Sequence, residues 1–230
     1  MSHPIFERWV PQHPDRIQLY SLNTPNGIKV GVILEELELP YEPHTINIME
    51  DDQFDPAYKT LSPNSKIPAI VDPNGPDGKP LGIMESGAIL IYLADKAGRL
   101  IPQAPAQRSE CLQWVFFQVG HVGPMFGQFG HFHKFAGDKC DHPYPLERYK
   151  TESKRLLGVL EDRLAGREYI LDSGYSIADI AIFPWVNTMK GFYQAEVPLE
   201  ISRFENVNRW LARCLERPAV QRGLVVCALS

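Results

Sequence analysis

Hydrophobic positions in the first hundred residues follow strand and helix spacings in turn. The pattern predicts strands at residues 17–22, 41–48, 67–71 and 81–84, and helices at 27–39, near 56–61 and at 87–97. Pro40 ends the first helix, and a cluster of Pro, Asn, Gly and Asp makes a hairpin loop between the last two strands. These elements follow the order β-α-β-α-β-β-α, which predicts one α/β domain.

The hydrophobic pattern changes after this domain. Residues 99–107 form a proline-rich break, which we interpret as a linker, and the periodic segments beyond it are helical. The predicted organisation is therefore an irregular N-terminal arm (1–16), an α/β domain (17–98), the linker (99–107) and an all-α domain (108–230).

The first helical segment of the all-α domain, residues 111–135, is unusually aromatic. Gly120, Gly123 and Pro124 interrupt it and predict a bend, because glycine and proline weaken or kink a helix. A bend that faces the first domain would open a cleft for a second substrate, whereas core packing would account for most of the aromatic side chains. Further on, Ser176 and Asp179 form a capping-box motif, which we assign to stability.

Composition and charge narrow the possible partners. Of the 230 residues, 44% are hydrophobic, and the formal net charge of -5 gives no electrostatic reason to expect nucleic acid or an anionic membrane as a partner. No apolar run approaches the roughly 20 residues needed to span a bilayer, and the polar start lacks a signal-peptide pattern. We therefore expect a cytoplasmic protein.

Cysteine and histidine spacings argue against a bound metal. The cysteines are widely separated and form no C-x-x-C pair, which favours reduced thiols: Cys111, Cys140, Cys214 and Cys227. His121, His131 and His133 could converge if the helix frays near Gly130, but no carboxylate or cysteine lies at helical i+4 spacing from them. We expect no metal site.

Residues 66–86 carry a candidate anion site. The segment K-I-P-A-I-V-D-P-N-G-P-D-G-K-P-L-G-I-M-E-S ends at the start of a helix, for which Ser86 is a natural N-cap. Backbone N–H groups at an open helix N-terminus, together with the Ser86 hydroxyl, could hold a carboxylate. A cis Ile67-Pro68 bond would turn the preceding backbone outward to pair with an extended peptide; trans is the default for such a bond unless the surrounding pattern argues otherwise, as it does here.

This segment resembles the glutathione-binding half of the thioredoxin-like domain in glutathione S-transferases. In a thioredoxin-like fold the loop between the first strand and the first helix carries the reactive group, which is cysteine in redox members. Thr24 and Asn26 occupy that loop here. Thiol chemistry would then use a thiol brought by the ligand and stabilised by these two residues; the alternative is that T-P-N-G is an ordinary turn before a helix.

Motifs along the rest of the chain extend the resemblance. They are S-L-N-T-P-N-G, S-P-N-S-K-I-P-A-I-V and M-E-S-G-A-I-L-I-Y-L in the first domain, then W-V-F-F-Q-V, G-P-M-F-G-Q, L-E-R-Y and Y-S-I-A-D-I-A in the second. Their order and spacing are similar to those of bacterial Nu-class glutathione transferases and their fungal Ure2-like relatives. The resemblance implies a thioredoxin-like domain joined to an all-α domain, glutathione as co-substrate, and a homodimer.

The resemblance also implies roles for individual residues. Thr24 and Asn26 would lie near the sulfur of glutathione, and Arg148 would face the cleft and pair with a second glutathione, unless it is simply a solvated arginine. The positions that match those holding the tripeptide backbone and its γ-glutamyl end are Gln53, Lys66, Ile67, Pro68, Glu85 and Ser86.

Three functions are compatible with this sequence. A glutathione thiolate that attacks a disulfide sulfur would make the protein a disulfide reductase, and attack on an electrophilic carbon would make it a conjugating transferase. The third is a non-catalytic, Ure2-like regulatory module that only binds glutathione. The presence of both thiolate-stabilising residues favours an enzyme.

Overall fold

A four-stranded mixed sheet forms the centre of the first of two units in the computed structural model, which describes residues 3–229. Strands β1 (Ile17–Ser21), β2 (Tyr41–Thr45), β3 (Ala69–Asp72) and β4 (Leu81–Met84) lie in the order β2-β1-β3-β4. β2 runs parallel to β1, whereas β3 pairs antiparallel with both β1 and β4. Every residue of the two central strands is buried, as expected of strands covered on both faces. The predicted α/β arrangement is confirmed.

Three helices complete the α/β part of this unit: α1 (Pro25–Leu37), α2 (Pro56–Leu61) and α3 (Ser86–Ala97). α1 begins two residues before its predicted start because Thr24 is the N-cap, with Oγ1 accepting from the Gly27 N–H at 3.3 Å. Gly27 is required at this point, since a Cβ there would lie 1.9 Å from the Leu22 carbonyl oxygen. The start of α1 therefore lies directly against the end of β1.

The N-terminal arm contributes to the core of the first unit, which its lack of periodicity did not predict. Pro4–Glu7 forms a 3₁₀ turn, and Ile5 is fully buried in a cluster with Tyr20 and Tyr58. The Trp9 ring meets the rings of Tyr20 and Tyr58 edge-on, at centroid distances of 6.3 and 6.2 Å. The arm is therefore a packed part of this unit.

Helices provide the main elements of the second unit, which covers Leu100–Arg217. They are α4 (Pro105–Phe117), α5 (Gly123–Gly130), α6 (Tyr144–Arg163), α7 (Ile177–Lys190), α8 (Glu196–Leu199) and α9 (Glu205–Leu215). The interruption predicted around Gly123 takes the form of a π-helical turn, Gln118–Val122, in which the Gly123 N–H bonds to the Gln118 carbonyl oxygen. Among the described residues, none of the helices combines the length and hydrophobicity that a membrane span needs.

The capping box at the head of α7 is present as predicted. Asp179 is fully buried and accepts from the Ser176 N–H at 3.0 Å, the Ile170 N–H at 2.9 Å and the Trp210 indole N–H at 2.9 Å. These bonds satisfy the carboxylate and connect α7 to α9, which agrees with a structural role for the motif.

The last described residues return to the first unit. α10 (Pro218–Gly223) lies against α1, although the sequence pattern placed residues 108–230 in one helical domain. Two glycines allow this contact: a Cβ on Gly31 would lie 2.8 Å from the Gly223 carbonyl oxygen, and one on Gly223 would lie 2.5 Å from Val32 Cα. Beyond α10, the Cys227 carbonyl oxygen accepts from the Asn23 N–H at 3.2 Å. The first unit is thus built from both ends of the chain.

Candidate functional site

The loop between β1 and α1 places Thr24 and Asn26 at the start of a helix. Thr24 Oγ1 accepts from the Gly27 N–H, so the hydroxyl hydrogen remains available to a ligand. Asn26 is half-buried in the first turn of α1, and its Oδ1 accepts from Lys29 Nζ at 2.8 Å. The positive end of the helix dipole adds to these groups. Together they can stabilise a negatively charged sulfur.

Lys29 is a candidate that sequence reasoning missed. Its side chain is buried, with 1% of its surface exposed, and Nζ donates to Asn26 Oδ1 and, at 3.2 Å, to Ser86 Oγ. Burial lowers the pKa of Lys29 to about 7, although the Glu85 carboxylate raises it. The sequence did contain a signal for this residue. Burying a lysine inside the apolar run of α1 costs free energy unless the side chain has polar partners.

Ser86 does not cap α3, contrary to the prediction. The helix begins at Ser86 itself, Glu85 occupies the N-cap position, and neither side chain makes a cap hydrogen bond. Ser86 is instead buried, and its Oγ is bonded to Lys29. Glu85 has a φ of 72°, a conformation that is strained for a residue with a side chain and is typical of functional sites. The turn directs Ser86 inward and leaves Glu85 exposed.

The segment before β3 presents unpaired backbone groups. The Ile67-Pro68 bond is cis, and the Lys66 carbonyl oxygen accepts from Tyr58 Oη at 2.9 Å and Ser62 Oγ at 2.8 Å. Within the described part of the chain, the Ile67 N–H and C=O have no hydrogen-bond partner. A bound extended peptide could supply both partners.

Gln53 has an unsatisfied amide oxygen. The residue is buried in a 3₁₀ turn, and its Nε2 lies 3.5 Å from the Ile48 carbonyl oxygen. Its Oε1 is buried and has no hydrogen-bond partner among the residues the structure describes. An unpaired buried acceptor is costly, so Gln53 is suited to receive a hydrogen bond from a ligand.

Hydrogen bonds bring three of these residues together directly, since Lys29 joins Asn26 on α1 to Ser86 on α3. Arg148 is on α6 of the second unit, where it is exposed and its Nη1 lies 3.7 Å from Glu152 Oε2. The other predicted site residues belong to the first unit: Thr24, Gln53, Lys66, Ile67, Pro68 and Glu85.

The protein's own thiols are poorly suited to nucleophilic chemistry at this site. No cysteine lies in the loop after β1, and none of the four cysteines forms a disulfide. Burial raises the pKa of Cys111 to about 11 and that of Cys227 to about 12, so both are protonated at neutral pH. We therefore expect a reactive sulfur at Thr24 and Asn26 to come from a ligand.

The histidines considered as metal ligands pack on aromatic rings. His121 lies against Phe117 and His133 stacks on Phe129, at centroid distances of 5.8 and 5.0 Å. In the described part of the chain, no group of three or more His, Cys, Asp or Glu side chains is arranged to hold a metal ion.

Two family models match the chain. The model for the glutathione S-transferase N-terminal domain matches residues 24–96, and the model for the C-terminal domain matches residues 143–213. Among characterised relatives, the disulfide-bond oxidoreductase YfcG of Escherichia coli is 42% identical over 215 residues, which cover 93% of this chain and 97% of that protein.

Solved structures of similar sequence have the same fold. A glutathione transferase from Burkholderia graminis, with two glutathione molecules bound per subunit, is 60% identical, with a TM-score of 0.96 over 97% of this chain and 93% of that chain. One from Pseudomonas putida, with one glutathione disulfide bound per subunit, is 55% identical, with a TM-score of 0.95 over 96% of each chain. The chain therefore belongs to the glutathione S-transferase family.

Proposed function

We propose that this protein is a glutathione-dependent enzyme that reduces disulfides with the thiolate of bound glutathione. The observation that carries the proposal is the set of donors at the start of α1, where Thr24 and Asn26 occupy the place that cysteine has in redox thioredoxin-like proteins. The relatives described above, which bind glutathione or glutathione disulfide or are named as disulfide-bond oxidoreductases, support the same chemistry.

The proposed reaction is thiol-disulfide exchange. Hydrogen bonds from Thr24 and Asn26 lower the pKa of the glutathione thiol, and each pKa unit corresponds to about 1.4 kcal/mol of thiolate stabilisation. The thiolate attacks one sulfur of the substrate disulfide, a new S–S bond forms, and the other sulfur leaves as a thiolate. A second glutathione thiolate then attacks the glutathione sulfur of the mixed disulfide, which releases oxidised glutathione and the second substrate thiolate.

The tripeptide would be held by six residues: Gln53, Lys66, Ile67, Pro68, Glu85 and Ser86. The unpaired Ile67 backbone supports main-chain pairing with the ligand, and the unsatisfied Gln53 oxygen supports a contact with a ligand N–H. Ser86 is suited to donate to the γ-glutamyl carboxylate, and the exposed Glu85 carboxylate is suited to pair with the γ-glutamyl ammonium.

Conjugation to an electrophilic carbon is the second candidate activity, because the same thiolate would perform it. Turnover of a small hydroxyethyl disulfide without turnover of 1-chloro-2,4-dinitrobenzene would select the reductase. Saturable glutathione binding without turnover of either would instead favour the non-catalytic module, which the donor set at Thr24 and Asn26 argues against.

A second glutathione is proposed to pair with Arg148. The exposure of this side chain and its loose 3.7 Å contact with Glu152 support its availability for a carboxylate. We expect calorimetric titration to give up to two glutathiones per subunit, with Arg148→Ala weakening only the second event. Arg155→Ala, which removes a neighbouring arginine paired with the same Glu152, is the matched control. A single event unaffected by Arg148→Ala would contradict this assignment and favour conjugation.

We further infer a homodimer in the cytoplasm. Phe116 on α4 is 62% exposed and Phe54 is 51% exposed, which supports a second subunit covering apolar surface. The absence of disulfides among the four cysteines supports a reducing compartment. Sedimentation at micromolar concentration tests the dimer, and a monomer would contradict it.

The decisive test of the proposed function is Asn26→Ala. Losing one preorganised donor to a negative charge typically costs about 10²-fold or more in rate, so we expect such a fall in kcat/KM for disulfide reduction by glutathione, with the fold retained. Thr24→Ser, which keeps the hydroxyl, should retain most of the activity. Unchanged kcat/KM in folded Asn26→Ala would remove Asn26 from the mechanism.

A further inference from the structure

We propose that Lys29 is a positioning residue that orients both polar ends of the glutathione site, directing the Asn26 amide toward the thiolate and the Ser86 hydroxyl toward the γ-glutamyl carboxylate. This inference rests on the proposed function, because it assigns Lys29 a part in binding and ionising glutathione. Lys29 itself is not proposed to contact the reacting sulfur.

The donor and acceptor chemistry of the three side chains carries the argument. In its charged form, Lys29 has three N–H donors and no acceptor, so Asn26 Oδ1 and Ser86 Oγ both accept from it. Fixing Oδ1 against Lys29 turns the amide NH₂ group to the opposite side. Likewise, the Ser86 hydroxyl hydrogen cannot point back at Nζ and is directed away from it. Both residues are thereby held as donors toward an anion.

Packing alone does not account for a lysine at this position. Lys29 is buried, and a methionine of similar length would fill nearly the same volume without the cost of burying a charge. The polar group is explained by its two bonds, one to Asn26 within α1 and one to Ser86 that connects α1 to α3 across 57 residues of sequence. These are also the two helices whose first turns carry Asn26 and Ser86.

Charge complementarity supports the same assignment. Glutathione brings a thiolate to Asn26 and, on the proposed binding mode, a carboxylate to Ser86, and the Lys29 ammonium is hydrogen-bonded to both residues. A buried cation beside two anionic groups stabilises them more strongly than it would in water. The Glu85 carboxylate also acts on the charge of Lys29.

The test compares Lys29→Met with wild type in two measurements. The ultraviolet absorbance of the thiolate, followed against pH, gives the thiol pKa of bound glutathione, and calorimetry gives the affinity for S-methylglutathione, which has no thiol. We expect the thiol pKa to rise by about one unit and S-methylglutathione to bind about tenfold more weakly, as is usual when a charge-assisted hydrogen bond is lost. If Lys29→Met does not fold, the same two quantities are measured for Lys29→Gln, which keeps a hydrogen-bond donor but no charge.

Val32→Ala is the matched control, since it removes buried volume from the same helix on the side that packs against α10. It should leave the thiol pKa and the S-methylglutathione affinity unchanged. Equal shifts in Val32→Ala, or an unchanged value of either quantity in the folded Lys29 variant, would overturn the positioning role. Wild-type protein that fails to bind S-methylglutathione would instead overturn the proposed function itself.

Discussion

Two side chains at the start of α1 each have an acceptor atom that is hydrogen-bonded to another group of the protein. Thr24 Oγ1 accepts from the Gly27 N–H, and Asn26 Oδ1 accepts from Lys29 Nζ. If the glutathione thiolate binds here as proposed, both side chains are already held in place, which is the condition under which hydrogen bonds stabilise charge best. The local geometry depends on Gly27, because no side chain fits between this turn and Leu22.

The stability of the protein should depend on pH through Lys29. Well below pH 7, Lys29 carries its proton in both the folded and the unfolded chain; between its folded pKa of about 7 and its ordinary pKa of 10.5, the unfolded chain binds more protons. The free energy of unfolding therefore gains up to about 1.4 kcal/mol per pH unit over this window. Lys29→Met lacks this gain. The unfolding free energy of wild type minus that of Lys29→Met should therefore increase as the pH rises.

Urea denaturation at two pH values inside this window measures the effect. The difference in unfolding free energy between wild type and Lys29→Met should change with pH, whereas the difference for Val32→Ala should stay constant. If the difference between wild type and Lys29→Met does not change with pH, the pKa of Lys29 in the folded wild-type protein is not lowered.

Residue types and family motifs predicted which residues form the candidate site, but not the bonds between them. Thr24, Asn26 and Ser86 stood out because each has a donor where the resemblance expects glutathione. The Lys29 bond to Ser86 joins residues 57 positions apart and depends on how α1 packs against α3, which no local pattern encodes. The expected cap at Ser86 was wrong for the same reason, since its hydroxyl has a tertiary partner.

At the scale of elements, the N-terminal arm fixes the turn that carries Gln53. Arg8 pairs with Asp52, the first residue of that turn, and with Asp55, which directly follows it; its guanidinium also lies over the Trp9 ring. Charge-assisted bonds to two carboxylates constrain the turn from outside, while Gln53 remains buried. We therefore expect the arm to affect glutathione binding without contributing a ligand contact.

Arg8→Ala should weaken glutathione binding with little effect on stability. Exposed ion pairs are typically worth about 0.2–1 kcal/mol, so we expect KM for glutathione to rise by about 1.4- to fivefold with kcat nearly unchanged. Steady-state kinetics at varied glutathione concentration checks this. Arg155→Ala, which breaks a comparable exposed pair with Glu152 in the second unit, should leave KM for the first glutathione unaltered. A matching rise in both variants would contradict a specific role for the arm.

Strong periodicity made most elements of the first unit predictable. The strands β1 and β4 and the helix α2 lie within one residue of their predicted bounds, because alternating or continuous apolar runs end at clear breakers. The packing of the arm into the core was not predicted, because a short 3₁₀ turn with one deeply buried side chain, Ile5, has no repeating pattern. The π-helical turn before α5 was visible only as an interruption around Gly123.

At the scale of the whole molecule, the first unit is discontinuous in sequence. α10 and the residues after it pack with α1, and Asn23 Nδ2 donates to the Leu224 carbonyl oxygen at 2.8 Å. Asn23 directly precedes Thr24, so the tail supports the loop of the candidate site. Sequence patterns did not predict this return, because the contact between Gly31 and Gly223 depends on small size rather than on periodicity.

Gly223→Ala should destabilise the first unit. The added Cβ would lie within 2.7 Å of Val32 backbone and side-chain atoms, and such overpacking typically costs about 1–3 kcal/mol. Gly158→Ala on α6 is the control, since its Cβ would meet no atom within 4 Å and alanine favours a helix. Urea denaturation should show a loss for Gly223→Ala and none for Gly158→Ala. Equal stability of both variants would mean that α10 does not need close contact with α1.

The tail contact also imposes an order on biosynthesis. α1 emerges early from the ribosome, but its partner α10 is translated on the order of ten seconds later at usual elongation rates. During that interval the face of α1 that receives α10 has no partner, whereas every residue of the second unit has already been made. The candidate site should therefore mature only after α10 has been made, and nascent chains should need protection at α1 until then.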